Sequence, residues 1–305
     1  MEIKYLKHSQ IDKTKWDYCV DHSQNRIIYA QSWYLDIVHP KWEALVANDY
    51  EAVMPLTSGK KFGIRYLYQP FFTQQLGVLS SLKIDPQLVG AFLKAIPAHF
   101  RFTDIVLNKG NEAPVGEFEL KKNLNYELKL NKTYSETVSG YAENTRRNLK
   151  KALRFNLTVT KSVEPDELIL LFRSNMGKSI PNIKTTHYGI LKNVMERSLA
   201  AGEAEIYGVR AGSGALLAGA FFLKSYDSFI FLFSATNPES KEKGMMFQIV
   251  DHFIRKHAGS GITLDFEGSN IPNLARFYKS FGSEEFSYLR IKKNRLPAIL
   301  KLFKK

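Results

Sequence analysis

Between Ser228 and Gly282 the apolar positions change period several times, and each change predicts an element. SFIFLFSAT is a continuous apolar run of strand length. A polar stretch with one glycine follows and is expected to be a loop. MMFQIVDHFIRKHAG then has helical spacing, GITLDF reads as a second strand, and NLARFYKSFG as a short aromatic helix. Where the loop feeds the first helix, free backbone N–H groups and the helix dipole favour an anion. The strand end Ser234-Ala235-Thr236 and the stretch Asp265 to Asn270 set polar side chains beside that spot. This is the layout of a group-transfer site for a phosphate-bearing donor.

The same patterning divides the rest of the chain. Residues 1 to about 133 read as a mixed α and β domain. A helix is expected over Gln10–His22 with Asp12 near its start, and another opens at Asp85-Pro86 and runs towards Pro97. Hairpin strands are expected over WEALVANDYEAVMPLTSGKKFGIRYLYQP, with turns at Asn48-Asp49 and Ser58-Gly59. FTDIVLNKG and FELKKNLNYELKL have the alternation of strands. NKTYSETVSG, near residues 134 to 140, reads as a boundary, and a second domain spans 134–296. Its elements are a basic helix, a short strand at Leu157–Lys161, helices opened by Glu164-Pro165 and Thr185, and three strands at hairpin spacing. The helix, strand and helix of the opening stretch follow, then a last strand, SYLRIKK. A basic tail, 297–305, closes the chain and is expected to pack on the protein, with attachment to an anionic membrane as the alternative.

Charge sharpens this outline. The 305 residues carry a formal charge of +13, which favours an anionic partner such as nucleic acid, lipid or a phosphorylated ligand. The bias is strongest in YAENTRRNLKKALRFN. On a helix Arg146, Arg147, Lys150, Lys151 and Arg154 fall within an arc of about 140°. Tyr141, Ala142, Thr145, Leu149, Ala152 and Leu153 take the other side. The helix is therefore expected to dock by its apolar face and hold five cations outward, for phosphate or RNA. Cys19 stands alone, so a disulfide framework and a thiolate metal cluster are excluded. The seven histidines lack metal-ligand spacing, and no metal is expected. No run is long and apolar enough to span a bilayer, and the cytoplasm is the expected address. Phosphate-loop, nucleophile-elbow and dinucleotide fingerprints are missing.

Four stretches, ENTRRNLKKALRFNLTV, LLAGAFFLKSYDSFIFLFSATNPE, LDFEGSN and RFYKSFG, stand in an order that resembles the GNAT superfamily of N-acyltransferases. More closely the chain resembles its tandem, Fem-type group of peptidyl and acyl transferases, with QPFFTQQLGV as the main match in the first domain. The resemblance implies an α/β fold with mixed sheets in two tandem GNAT-like domains. It also implies acyl or aminoacyl transfer from acyl-CoA (acetyl-CoA, for example) or aminoacyl-tRNA to a small-molecule or peptide amine. The donor's arm would enter a V-shaped gap between Ser228–Thr236 and Leu264–Phe266. Side chains filling that gap would favour the other reading, a non-catalytic GNAT scaffold binding RNA or another anionic partner.

Two departures from the family pattern bear on the donor. Where acyl-CoA enzymes have a Gln/Arg-x-x-Gly-x-Gly/Ala turn, this chain has Ser240-Lys241-Glu242-Lys243-Gly244-Met245-Met246. Met246 narrows the approach to the backbone, while Lys241 and Lys243 add charge. Where Fem-type enzymes have a lysine before the Phe-Gly end, Tyr278 stands, in the frame of the GNAT tyrosine that protonates a leaving thiolate.

Acyl transfer to an amine requires a neutral amine, a polarised carbonyl and a protonated leaving group. Asp265 or Glu267 is the expected base, with loop capping as the competing role of Asp265. Tyr278 is the expected acid, with aromatic packing as its alternative. Ser234, Ala235 and Thr236 would face the acyl carbonyl. Lys241, Lys243, Gly244 and Met245 would take the donor phosphates. Arg146, Arg147 and Lys150, with Ser269 and Asn270, would contact substrate.

Overall fold

A computed structural model describes residues 1–114, 116–180, 183–268 and 270–296. The chain forms two compact units, Met1–Asn123 together with residues 287–296, and Leu124–Phe286.

The first unit holds β1 (Ile3–Leu6), α1 (Lys13–Asp21), α2 (Ser32–Val38), β2 (Glu43–Ala47), β3 (Ala52–Leu56), β4 (Ser58–Lys61), β5 (Ile64–Tyr68), β6 (Leu79–Ser80), α3 (Pro86–Ala95) and β7 (Phe100–Val106). Asp12 caps α1 by accepting from the N–H groups of Thr14 and Lys15, and Asp85 caps α3 through Leu88 N–H with Pro86 at the first helical position. β1, β2, β3 and β6 form one four-stranded sheet. β4 pairs β5 and β5 pairs β7, which is joined in turn by the last strand of the chain. Leu45, Met54, Leu67, Phe92, Phe100 and Ile291 fill the core of this unit. One expected turn moves. Ser58 and Gly59 lie inside β4, paired with Leu67 and Tyr66, and the chain reverses four residues later at Phe62-Gly63. Both of those residues have positive φ, 50° and 78°, the geometry of a two-residue hairpin turn.

β8 (Glu119–Lys129) leads into the second unit. There follow α4 (Tyr134–Ser139), α5 (Glu143–Leu153), β9 (Val159–Thr160), α6 (Pro165–Ser174), α7 (Thr185–Ala200), β10 (Ala204–Arg210), β11 (Leu216–Ser225) and β12 (Ser228–Thr236). Then come α8 (Pro238–Glu242), α9 (Met245–His257), β13 (Thr263–Asp265), α10 (Pro272–Lys279) and β14 (Glu284–Asn294). The strand order here is β8-β13-β12-β11-β10-β9. β10, β11 and β12 are the expected antiparallel meander, and β13 joins β12 in parallel. On one face Phe222, Phe229, Phe231, Phe266 and Tyr126 pack against Ile249, Val250 and Phe253 of α9 and against Tyr278 and Phe281 near α10. α6 and α7 cover the other face, where Phe172 meets Phe233 with ring centroids 4.7 Å apart.

Two expectations change in this unit. The stretch after β12 is a helix, α8, because Asn237 caps it through Ser240 N–H and the buried Ser240 hydroxyl donates to Leu217 O. On α5, Thr145 and Ala152 are buried and Leu149 packs on the core as the arc requires. Leu153 is 66% exposed, since the helix ends there and its last turn runs past the packed face.

Candidate active site

The candidate site grows from the way β12 leaves its neighbour. β12 and β13 are in register only as far as Ile230 and Asp265, where β13 ends. From Phe231 onward no strand of the described residues stands on that side of β12, so a notch opens between the two strand ends. On its other edge β12 carries a bulge: Phe222 is opposite Phe231 and Phe221 is opposite Phe233, leaving Leu232 over. A bulge adds one residue and reverses the alternation beyond it. Phe229 and Phe231 point to the α9 face, but Phe233 points to α6. Ser234 and Thr236, opposite the core residues Ala220 and Ala218, are thereby turned to the α9 face. Without the bulge they would face α6. Both are half-buried, and their hydroxyls make no hydrogen bond with the described residues. Ala235 between them is buried.

The base of the notch is aromatic. Phe231, Phe266 and Tyr278 form a cluster with ring centroids 5.2 to 6.3 Å apart. Tyr278 is 9% exposed, and burial followed by the nearby charges of Glu267 and Asp265 raises its pKa, so the hydroxyl stays protonated. That hydroxyl has no hydrogen-bond partner among the described residues.

β13 ends in a turn whose chemistry is local. Asp265 Oδ1 accepts from the N–H of Glu267 at 2.8 Å and from Asn125 Nδ2 at 2.9 Å. Phe266 N–H donates to Tyr126 O, and Asn270 Oδ1 accepts from Leu124 N–H at 3.3 Å. Glu267 takes a left-handed φ of 52°. Gly268 lies against the backbone of Leu124, and a Cβ there would collide with the Leu124 carbonyl. The Asp-x-x-Gly motif is thus a device that fastens the strand end to β8. Ser269 lies outside the described residues.

The N-terminus of α9 stands next along the same face. Gly244, at φ 75°, is its cap, and a side chain there would press on Asn148 of α5. Met245 is buried and Met246 packs on the core. The first helical N–H groups, of Met245 and Met246, have no acceptor within the helix. Of the two lysines expected beside them, Lys243 is tied to Glu239 and sits 4.5 Å from the Phe155 ring centroid. Lys241 is exposed and unpaired among the described residues.

α5 packs along α9 and holds Arg146, Arg147, Lys150, Lys151 and Arg154 exposed. Arg146 donates to Ser139 O at 2.7 Å, closing the end of α4, and Arg147 to Asn144 Oδ1 at 3.1 Å. Thr145 donates to Ser280 at the end of α10, which fixes the basic helix to the aromatic one. The 260 Å³ cavity lined by Glu127, Lys132, Glu136, Thr137 and Phe281 contains none of the predicted site residues. Among the described residues no group of acidic, His and Cys side chains could hold a metal. Sequence reasoning overlooked the Leu232 bulge and Asn125; the asparagine left a trace, as a polar residue inside the strand pattern of NLNYEL.

A strand pair splayed beyond a bulge, with a capped helix N-terminus beside it, defines an N-acyltransferase fold. Residues 139–280 match the family model described as "Acetyltransferase (GNAT) domain", and the two-unit fold is that of GNAT-like proteins. The crystal structure of FemX is similar over 100% of both chains, with a TM-score of 0.66 and 12% identity. The C-terminal domain of a putative lysylphosphatidylglycerol synthetase from Agrobacterium fabrum is similar over 96% of this chain and 95% of its own, with a TM-score of 0.52 and 11% identity. L-PGS from Bacillus licheniformis is similar over 86% of this chain and 87% of its own, with a TM-score of 0.53 and 9% identity. At such identities the likeness is one of fold. Comparison with curated proteins gives no match. No helix among the described residues is long and apolar enough to cross a membrane.

Proposed function

We propose that the second unit transfers an acyl or aminoacyl group from a phosphate-bearing donor to an amine. The observation that carries this reading is the notch beyond Ile230 and Asp265, with the Leu232 bulge turning Ser234 and Thr236 towards α9. In this reading the donor's thioester or ester carbonyl lies along β12, where N–H groups past the end of β13 have no strand to bond. The amine attacks that carbonyl, the carbon–sulfur or carbon–oxygen bond breaks, and Tyr278 gives its proton to the leaving atom. Its raised pKa keeps the proton on the hydroxyl at neutral pH. Asp265 accepts two hydrogen bonds within the turn, and in this reading Glu267 takes the amine's proton, directly or through water.

The donor's phosphates are assigned to the N–H groups of Met245 and Met246, with Lys241 and the cations of α5 beside them. Acyl-CoA and aminoacyl-tRNA both carry such phosphates. The five exposed cations of α5 favour the larger polyanion, because a single pyrophosphate needs fewer contacts. Incubation with labelled acyl-CoAs and with charged tRNA, in the presence of amine acceptors, distinguishes the two donors. Turnover with neither would remove this reading.

The packed aromatic base of the notch supports a second reading, a scaffold that binds RNA without catalysis. Binding of uncharged tRNA that weakens steeply with salt and drops in an Arg147→Ala/Lys150→Ala variant, with no turnover of either donor, would establish it instead.

A further inference from the structure

We propose that the β4–β5 hairpin is a membrane-surface contact, whose tip inserts Phe62 into the interface of an anionic bilayer. The proposal concerns the first unit alone and does not depend on the assignment of the transferase site.

Three observations converge on the tip. The Phe62 side chain is 90% exposed, the most exposed large apolar side chain among the described residues. It occupies a left-handed conformation, φ 50°, in the first place of a two-residue turn closed by Gly63 at φ 78°. Such turns favour Asn-Gly, because a bulky side chain is disfavoured at positive φ. Solubility and local backbone energetics would therefore both replace this phenylalanine. Its presence at a strained, solvated place points to a use for the ring. The ring is also held out on a firm support. Lys61 pairs with Ile64, Lys60 with Arg65 and Gly59 with Tyr66, whose ring lies over the glycine where a Cβ would stand. Tyr66 in turn contacts Tyr68, with ring centroids 5.7 Å apart.

The charges around the tip indicate the partner. Lys60 and Lys61 are exposed and make no ion pair among the described residues, while Arg65 is taken up by Glu43. Lysines on an outer strand protect it from pairing with other strands, and β4 is such a strand. That accounts for the lysines; Lys61 Nζ also stands 5.5 Å from the Phe62 ring centroid, a surface contact that does not explain why the ring is held out in solvent. One aromatic ring with two ammonium groups covers far less area than a specific protein interface needs. A bilayer requires no complementary shape: the ring enters the headgroup region and the ammonium groups meet lipid phosphates. The overall charge of +13 acts in the same direction.

The experiment is flotation of the full chain with vesicles of phosphatidylglycerol and phosphatidylcholine, and with vesicles of phosphatidylcholine alone. All variants keep residues 297–305, so any contribution of that tail is common to every arm. The wild type is expected to float with the anionic vesicles and to be released by salt. Phe62→Asn should lower the bound fraction about fivefold or more. Its Tm should be unchanged or raised, since asparagine suits the turn, and this separates lost binding from lost folding. Lys60→Ser/Lys61→Ser should lose binding to the anionic vesicles to a similar degree. Phe62→Trp should retain binding, and its fluorescence should shift to the blue with anionic vesicles. Equal binding by wild type and Phe62→Asn would overturn the proposal and leave the tip as a contact for protein or for nothing. Failure of the wild type to float, or equal flotation with phosphatidylcholine alone, would overturn it as well.

Discussion

Tyr278 lies stacked on Phe266, with ring centroids 5.2 Å apart and 24° between the ring planes. The stack fixes the ring, while the hydroxyl has no hydrogen-bond partner among the described residues and stands near the charges of Glu267 and Asp265. Removing the oxygen should therefore leave the packing intact. For Tyr278→Phe we expect an unchanged Tm, retained donor binding and turnover lower by about 10²-fold, the usual scale of a lost general acid. Turnover equal to wild type would assign the tyrosine to packing alone.

The two carboxylates after β13 should separate by role. Asp265 receives two hydrogen bonds at one oxygen, and an asparagine Oδ1 can accept both. Asp265→Asn is accordingly expected to keep turnover within a few-fold of wild type. Glu267→Gln should lower it by about 10²-fold and abolish the rise of rate with pH that a general base imposes. The opposite ranking in a pH–rate profile would transfer the base to Asp265.

Gly268 should tolerate no side chain. A Cβ would meet the backbone of Leu124, which cannot swing aside as a flexible side chain can. Gly268→Ala should destabilise the protein by about 3 kcal/mol or more, as overpacking against backbone does. Urea unfolding measures it, and a loss below about 1 kcal/mol would mean that the turn relaxes freely.

Glu205 should set an acid limit on stability. Burial alone would raise its pKa, but hydrogen bonds from His257, Lys256 and Tyr207 outweigh it and hold the carboxyl down at about 2. The folded value lies below the ordinary 4.5, so the stabilisation is complete above that pH and fades as the pH falls from 4.5 towards 2. A shift of this size corresponds to at most about 3 kcal/mol. Urea midpoints at pH 7 and pH 3 should converge in Glu205→Gln relative to wild type. Equal pH dependence in both proteins would refute the assignment.

What the sequence revealed and concealed follows from where each signal resides. Asp12 and Asp85-Pro86 act within a few residues, so the starts of α1 and α3 were legible. The basic arc of α5 was legible because one period governs the helix, except at Leu153, where the helix stops. The bulge at Leu232 was not, since SFIFLFSAT is apolar on both faces and the register comes from β11. At the β4–β5 turn, Ser58-Gly59 carried the usual turn residues and Phe62-Gly63 did not, yet strand pairing put the reversal at the second pair. Both carboxylates of LDFEGSN were visible. That Asp265 would spend an oxygen on Asn125, 140 residues earlier in the chain, was not.

That β14 belongs to the first unit from Ser287 onward has a consequence for synthesis. Arg290 pairs with Asp104 through two hydrogen bonds, and Ile291 enters the core built around Leu67 and Phe100. A ribosome delivers those residues only after all of Leu124–Phe286 has been made. The first unit must wait, with a strand's place left open, until Leu124–Phe286 has been translated. Folding then runs against the order of synthesis: the later unit can close on its own strands while the earlier one is held for completion.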